Sequence, residues 1–334
     1  MSTLGRIAKR VLPAPLVRTL RRWARHLSLW RNGAYDRDRF GRHSYALGPP
    51  SNRGQRRAAL TFIYHRIEKG LALPQPRAGF GGDSVRDLIS GLARYEAKFG
   101  RDDLGATVEG VLRDYVRSGL GDPVVAREAG RFLAGRPDLL AERAGTLSLT
   151  RDTLCPVSPD IAMRFMESRH SLRSYTGAPL PRELIERASL LAQTAPSVCN
   201  RQAGRLYVTN DAARMQEVLS HQNGNRGFGH TLGAVFIVAV DLSAFNSVGE
   251  RNQPFVDGGI FAMSLVLGLH ALGVGACMLN WSSTREADLA LRRAFGIPDS
   301  HVAITMVGAG EVPEGPFKVA ASHRIPPTDV LHWL

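Results

Sequence analysis

From Pro179 onward the chain alternates between helical and strand periodicity, and that alternation restricts its fold more than any other feature. Pro179 to Pro181 introduce an amphipathic helix over residues 182–194. Residues 206–209 then read as a strand, 212–221 as a helix and 234–240 as a continuously apolar, fully buried strand. A long apolar helix follows over 257–272, ending in Ala271-Leu272-Gly273-Val274-Gly275. Gly296-Ile297-Pro298-Asp299 forms a loop ahead of a last buried strand over 302–307. Strands separated by helices predict a sheet with helices packed on both sides. The apolar run 260–279 carries His270 among several glycines, which suits a protein-buried helix better than a lipid span.

The first half is organised differently. Helices are expected over 55–69, 84–99 (capped by Asp83 or Ser84), 103–117 and 123–133, the first two stopped by Gly70 and Gly100. Between those two, residues 73–82 form a Pro- and Gly-rich loop of the kind that can cover a site. His65, Glu68 and Lys69 share one helix face, most simply as a local salt-bridged end. Residues 135–160, with Pro137, Pro156 and Pro159, read as a linker, which places two domains at 1–150 and 151–334.

Charge is concentrated at the start. Residues 1–60 hold 14 Lys/Arg against 2 Asp/Glu, whereas the remaining 29 and 28 almost cancel. On a helical wheel at about 100° per residue, Leu20, Trp23, Leu27 and Trp30 all fall within about 40° of Leu16. Arg18, Arg21, Arg22 and Arg25 take the opposite face, joined by Leu29, with Pro13 and Pro15 at the helix start and Asn32-Gly33 at its end. Such a helix over residues 10–31 suits either an anionic membrane surface or docking on the rest of the protein. Nucleic acid is not an expected partner, since no recognised binding module accompanies the basic run. Arg6, Lys9, Arg10 and Arg18 interrupt residues 4–20, so no secretory signal is expected. Cys155, Cys199 and Cys277 are too few and too scattered for a disulfide framework or a zinc site, which points to a reducing cytoplasm and to no metal.

Two clusters carry chemistry. Arg169-His170-Ser171-Leu172-Arg173 offers two guanidinium forks around a hydroxyl, a donor set suited to phosphate. One helix later comes Pro196-Ser197-Val198-Cys199-Asn200-Arg201-Gln202, whose Asn both donates and accepts. With the Leu-Gly-Val-Gly turn and the tail Ser322-His323-Arg324-Ile325-Pro326, these stand in an order that resembles the nitroreductase family over about residues 160–334. Ala203-Gly204 departs from the family's usual Pro-Trp, and Ser322 from its usual lysine.

The resemblance implies an α+β sandwich, a mixed sheet flanked by helices, preceded here by a basic helical region. It implies FMN as cofactor, NAD(P)H as electron donor, a small-molecule acceptor reduced by two electrons in ping-pong order, and a homodimer with FMN at the interface. Arg169, His170, Ser171 and Arg173 would hold phosphate and ring edge, with Arg324 completing the clamp. Pro196, Ser197, Asn200 and Gln202 would form a wall supplied by the partner chain. Leu279 and Asn280 would direct a backbone N–H at flavin N5, the atom that accepts the hydride. His230, in a glycine-rich loop, and Trp281 would touch substrate. The region His65-x-x-Glu68-Lys69-Gly70-Leu71 with Pro74-x-Pro76-Arg77-x-Gly79-Phe80-Gly81 resembles proteins associated with bacterial surface polysaccharide production. The contrasting reading is a membrane-associated accessory or scaffold protein on the same fold.

Overall fold

The computed structural model describes residues 13–77, 79–139 and 144–334. Readings that touch residues 1–12, Ala78 or 140–143 lie outside the described residues.

Helix α1 runs over Ala14–His43, with Pro13 and Pro15 at its start. The expected stop at Asn32-Gly33 is not taken. Gly33 lies in open space within the continuing helix, and residues 32–43 are held by contacts with the sheet region that outweigh glycine's weak helix propensity. Four helices follow: α2 (Arg53–Leu71), α3 (Gly82–Phe99), α4 (Asp103–Ser118) and α5 (Pro123–Leu133). Their starts are chemically marked. Asn52 caps α2 through the Gln55 N–H, Asp102 caps α4 through the Leu104 N–H, and Asp122 takes the N–H groups of Val124 and Val125. The expected Asp83 or Ser84 cap is replaced by Gly81, whose φ of 85° turns the chain into α3.

Leu60, Ile67, Leu88, Leu92, Val108, Leu112 and Val125 make one apolar core among these helices. The loop expected to cover a site instead closes on this core. Phe80 lies edge-on to Tyr115, whose hydroxyl donates to the Phe80 carbonyl. Burying an aromatic ring stabilises the loop more than leaving it in solvent would.

Within the expected linker the chain makes a single turn, α6 (Arg151–Leu154), and then α7 (Pro159–Ser168). The sheet region comprises α8 (Arg182–Ala192), β1 (Gly204–Thr209), α9 (Ala212–Ser220), β2 (Ala234–Asp241), α10 (Gln253–Ala271), β3 (Val274–Leu279), α11 (Arg285–Phe295) and β4 (His301–Glu311). The strands lie in the order β1-β2-β4-β3 with antiparallel ladders. A parallel bridge from Ser171 to Ala276 on β3 makes the sheet mixed.

Strand alternation assigns the two faces. Phe236 and Val238 of β2 pack with Ile185, Ala188, Leu265 and Leu269 of α8 and α10. Val235 and Ile237 pack on the other side with Met215, Leu219 and Leu291 of α9 and α11. By length and apolarity α10 could cross a membrane, and its Ala262, Leu265, Val266 and Leu269 are buried in the protein core. Strand β3 was hidden in the sequence because the Leu-Gly-Val-Gly signal reads as a turn that runs straight into it.

Candidate functional site

The segment 169–173 is fastened to the sheet by its apolar members, leaving its polar ones outward. The Leu172 N–H donates to the Ala276 carbonyl at 3.1 Å, and Leu172 and Tyr175 are buried. Gly275 makes this approach feasible, since a Cβ there would lie 2.5 Å from a Leu172 methyl. Tyr175 donates to the Leu172 carbonyl at 2.6 Å, and burial pushes its hydroxyl well above the ordinary tyrosine range, so it stays a donor. Arg169 and Ser171 are half-buried, and Arg173 is exposed.

Neither Arg169 nor Arg173 forms an ion pair with a carboxylate among the described residues. Burial raises the Cys277 thiol, and the nearby Arg173 and Arg169 pull it back, so both guanidinium groups act on one spot beside β3. Two cations near one thiol, neither paired with a carboxylate among the described residues, give that stretch a positive field that suits an anion. The His170 ring bonds the Ser168 carbonyl at 3.0 Å, so it braces the end of α7.

Past the end of β3, the chain is held from two sides. Leu279 is buried, and its carbonyl accepts from the Thr305 hydroxyl at 2.6 Å. Asn280 is exposed, its carbonyl accepting from Gln222 Nε2 at 3.0 Å. Half-buried Trp281 donates its indole N–H to Asp288 Oδ1 at 3.3 Å. Gln222 and Asn225 also brace the glycine-rich loop, Asn225 Nδ2 donating to the carbonyls of Leu219 and Gln222. His230 stands exposed on the turn after that loop.

The second cluster lies elsewhere. Pro196, Ser197, Asn200 and Gln202 line a cavity of about 1070 Å³ between α2, α8 and β1, into which Arg57, Tyr64, Glu68 and Asp103 also project. Gly54 lets α2 seat on the turn after β2, since a Cβ there would fall 2.6 Å from Ser243 Oγ. The cluster's backbone is unusual: Cys199, Asn200 and Gln202 all have φ near 50°. Left-handed residues other than glycine cost energy and persist where their surroundings fix them. Here buried Asp257 accepts from the Val198 N–H at 3.2 Å, the Ser197 hydroxyl accepts from the Gln202 N–H at 3.0 Å, and buried Arg201 pairs with Glu250.

Within one chain, Arg169–Arg173 and Leu279–Trp281 share the β3 side, while Pro196–Gln202 lines the separate cavity. Arg324 lies in the exposed C-terminal tail, where its Nη1 donates to the Ser322 carbonyl. Ser322 has a φ of 49°. The sequence did not single out Arg57, Asp103, Glu250 or Asp257, because partners 46 to 59 positions apart along the chain carry no local pattern. His65 and Glu68 do meet, at 2.9 Å, as the simple helix-end pair. No group of three or more His, Cys, Asp or Glu suited to a metal occurs among the described residues.

A comparison with protein-family models matches residues 166–223 and 211–311 to the nitroreductase family. A protein of Archaeoglobus fulgidus, provisionally named NADH dehydrogenase/NAD(P)H nitroreductase, is 27% identical over 153 residues, covering 44% of this chain and 83% of its own length. A Cr(VI) reductase of a Pseudomonas species is 24% identical over 148 residues, covering 40% of this chain and 59% of that one. Among solved structures, a provisionally named nitroreductase from Desulfovibrio desulfuricans, crystallised with FMN, is 21% identical with a TM-score of 0.45, covering 52% of this chain and 96% of that one. One from Bacillus subtilis is 16% identical with a TM-score of 0.45, covering 53% and 100%. The match to the nitroreductase family runs through residues 166–311, the stretch that carries Arg169–Arg173 and the whole four-stranded sheet, and helices α1 to α5 stand outside it.

Proposed function

We propose that the protein is an FMN-dependent oxidoreductase that passes two electrons from NAD(P)H to a small-molecule acceptor in ping-pong order. The observation that carries this reading is the pair Arg169 and Arg173, fastened beside β3 through Leu172 and left without a carboxylate partner among the described residues.

The residues present fit the cofactor. Arg169, Ser171 and Arg173 carry donors of the kind that would hold its phosphate, and Arg324 in the tail would add a third guanidinium. Buried Leu279 and the segment through Asn280 and Trp281, held by Gln222 and Asp288, form a fixed polar edge on the same side. When bound, FMN supplies the electron-transfer chemistry between the nicotinamide and the acceptor. The chain's own work is to orient the cofactor and to present hydrogen-bond donors already in place.

In this reading the protein is a homodimer. The Pro196–Gln202 wall and the Arg169–Arg173 edge do not line one cavity within a chain, so a second copy supplies Asn200 to its partner's cofactor. Residues 1–150 form the basic helix and helical domain, and 151–334 the FMN-binding domain. His230 and Trp281 face the acceptor. The setting is cytoplasmic, with the protein held peripherally at the inner membrane face through residues 10–31. Bacterial surface polysaccharide production is the context suggested by the segment from His65 to Gly81.

The visible spectrum of the purified protein tests the central claim. Oxidised flavin gives yellow protein that is bleached by NADH or NADPH without oxygen and recoloured by an acceptor. Protein that is colourless, and that stays so after incubation with FMN and gel filtration, would leave the accessory-protein reading in its place.

A further inference from the structure

Helix α1 is split into a seated half and an unseated half. From Asn32 onward it is tied down: the Asn32 side chain accepts from the Arg285 N–H at 2.7 Å, and Tyr35 donates to Asp288 at 2.6 Å. Arg39, 1% exposed, reaches Asp288 and the carbonyls of Asp299 and His301. From residue 18 to 31 every side chain is exposed, so this part projects from the body on all sides. Leu20, Leu27, Trp23 and Trp30 are 50% to 70% exposed along one face. Residues 14–31 span about 27 Å at helical rise.

A single helix of that length without tertiary cover is marginal in water, and an uncovered stripe of two tryptophans and three leucines adds to the cost. Something therefore covers it. Residues 14–31 contain five arginines and no acidic residue, so the covering surface carries negative charge. A second copy of the same helix would bring arginine against arginine. Five charges in 18 residues also exclude a transmembrane path.

We propose that residues 14–31 form an interfacial helix that lies in the headgroup layer of an anionic bilayer. Leu16, Leu20, Trp23, Leu27 and Trp30 enter the acyl boundary, while Arg18, Arg21, Arg22 and Arg25 engage lipid phosphates. This deepens the localisation proposed above and is independent of the flavin. Because the helix is continuous into its seated half, the bound protein stands at one orientation, with α11 nearest the lipid-bound segment.

The test is co-sedimentation of the full chain with phosphatidylcholine vesicles, with and without phosphatidylglycerol. Binding is expected only to the anionic vesicles, with a blue shift of tryptophan emission. Replacing Arg18, Arg21, Arg22 and Arg25 by Gln should weaken it by about 5-fold per arginine, on the order of 10² to 10³ in all. Trp23→Ala with Trp30→Ala should abolish the blue shift. All six side chains are exposed, so unchanged thermal unfolding is expected to accompany these losses. Equal binding to neutral vesicles, no binding at all, tighter retention by duplex nucleic acid, or a dimer broken by the tryptophan variants without vesicle binding would each overturn the proposal. Flavin content is read in the same samples. Yellow protein that ignores vesicles removes the lipid contact alone, whereas colourless protein that binds them keeps it and removes the flavin reading.

Discussion

Two sets of arginines in this chain occupy opposite environments. Arg39 and Arg292 are buried against Asp288 and Asp299, with Tyr35 and Trp281 adding donors to the same carboxylate. Arg169 and Arg173 flank a hydroxyl at the edge of the sheet and meet no carboxylate among the described residues. A buried guanidinium without partners is costly, so the first set is closed on itself and holds α1 to the sheet region. The second is fixed by its apolar neighbours Leu172 and Tyr175, which leaves its charge available to something the chain does not itself provide. One residue type thus serves architecture or recognition according to which of its neighbours are acids.

The largest effect should come from the open set. Replacing Arg169 and Arg173 together by Ala removes two charge-assisted contacts worth about 1.5–3 kcal/mol each, which should weaken FMN binding by roughly 10² to 10⁴. Denaturant stability should stay within about 0.5 kcal/mol, since no internal pair is lost. Titration of the apoprotein by flavin fluorescence measures the first and urea unfolding the second; unfolding of the double variant would erase the contrast between the two sets.

Next in size is the closed set. Arg39→Ala leaves Asp288 and two carbonyls short of a buried donor and should cost about 3–5 kcal/mol in urea unfolding, with FMN affinity of the remaining folded protein little changed. A loss below about 1 kcal/mol would show that the network is not what seats α1.

The smallest effect is set by pH. Burial raises Asp299, but His43 and Arg292 more than offset it and bring it from an ordinary 3.8 to about 2. Burial likewise raises Asp241, and His301 and the Ser243 N–H bring it to about 2. Both are depressed, so their contribution is complete above about pH 4 and is lost as pH falls through about 2. The urea midpoint should decline across that window, and Asp299→Asn should flatten the decline. A midpoint insensitive to pH there would separate these carboxylates from the stability of the closed set.

Much of this was legible in the chain itself. Helices α2 to α5 appeared within two residues of their observed bounds because caps, glycines and apolar spacing are local signals. Strands β2 and β4 were visible as apolar runs, and Arg169–Arg173 as a donor pattern. Strand β3 was not, because six residues beginning Val-Gly carry no period distinguishable from the turn before them. Nor was the extension of α1 past Gly33, where Tyr35 and Arg39 find acids some 250 residues away.

The sequence by itself determined where helices and strands can form, which stretch carries the nitroreductase pattern and that positive charge gathers at the start. Only the tertiary structure decided which arginines are spoken for, because pairing depends on distances through space that spacing along the chain does not encode. It likewise decided that the Asn200 wall and the Arg169 edge lie apart, and that the apolar stripe of α1 stays uncovered. Each of these is a property of surfaces, and surfaces exist only once the chain has packed.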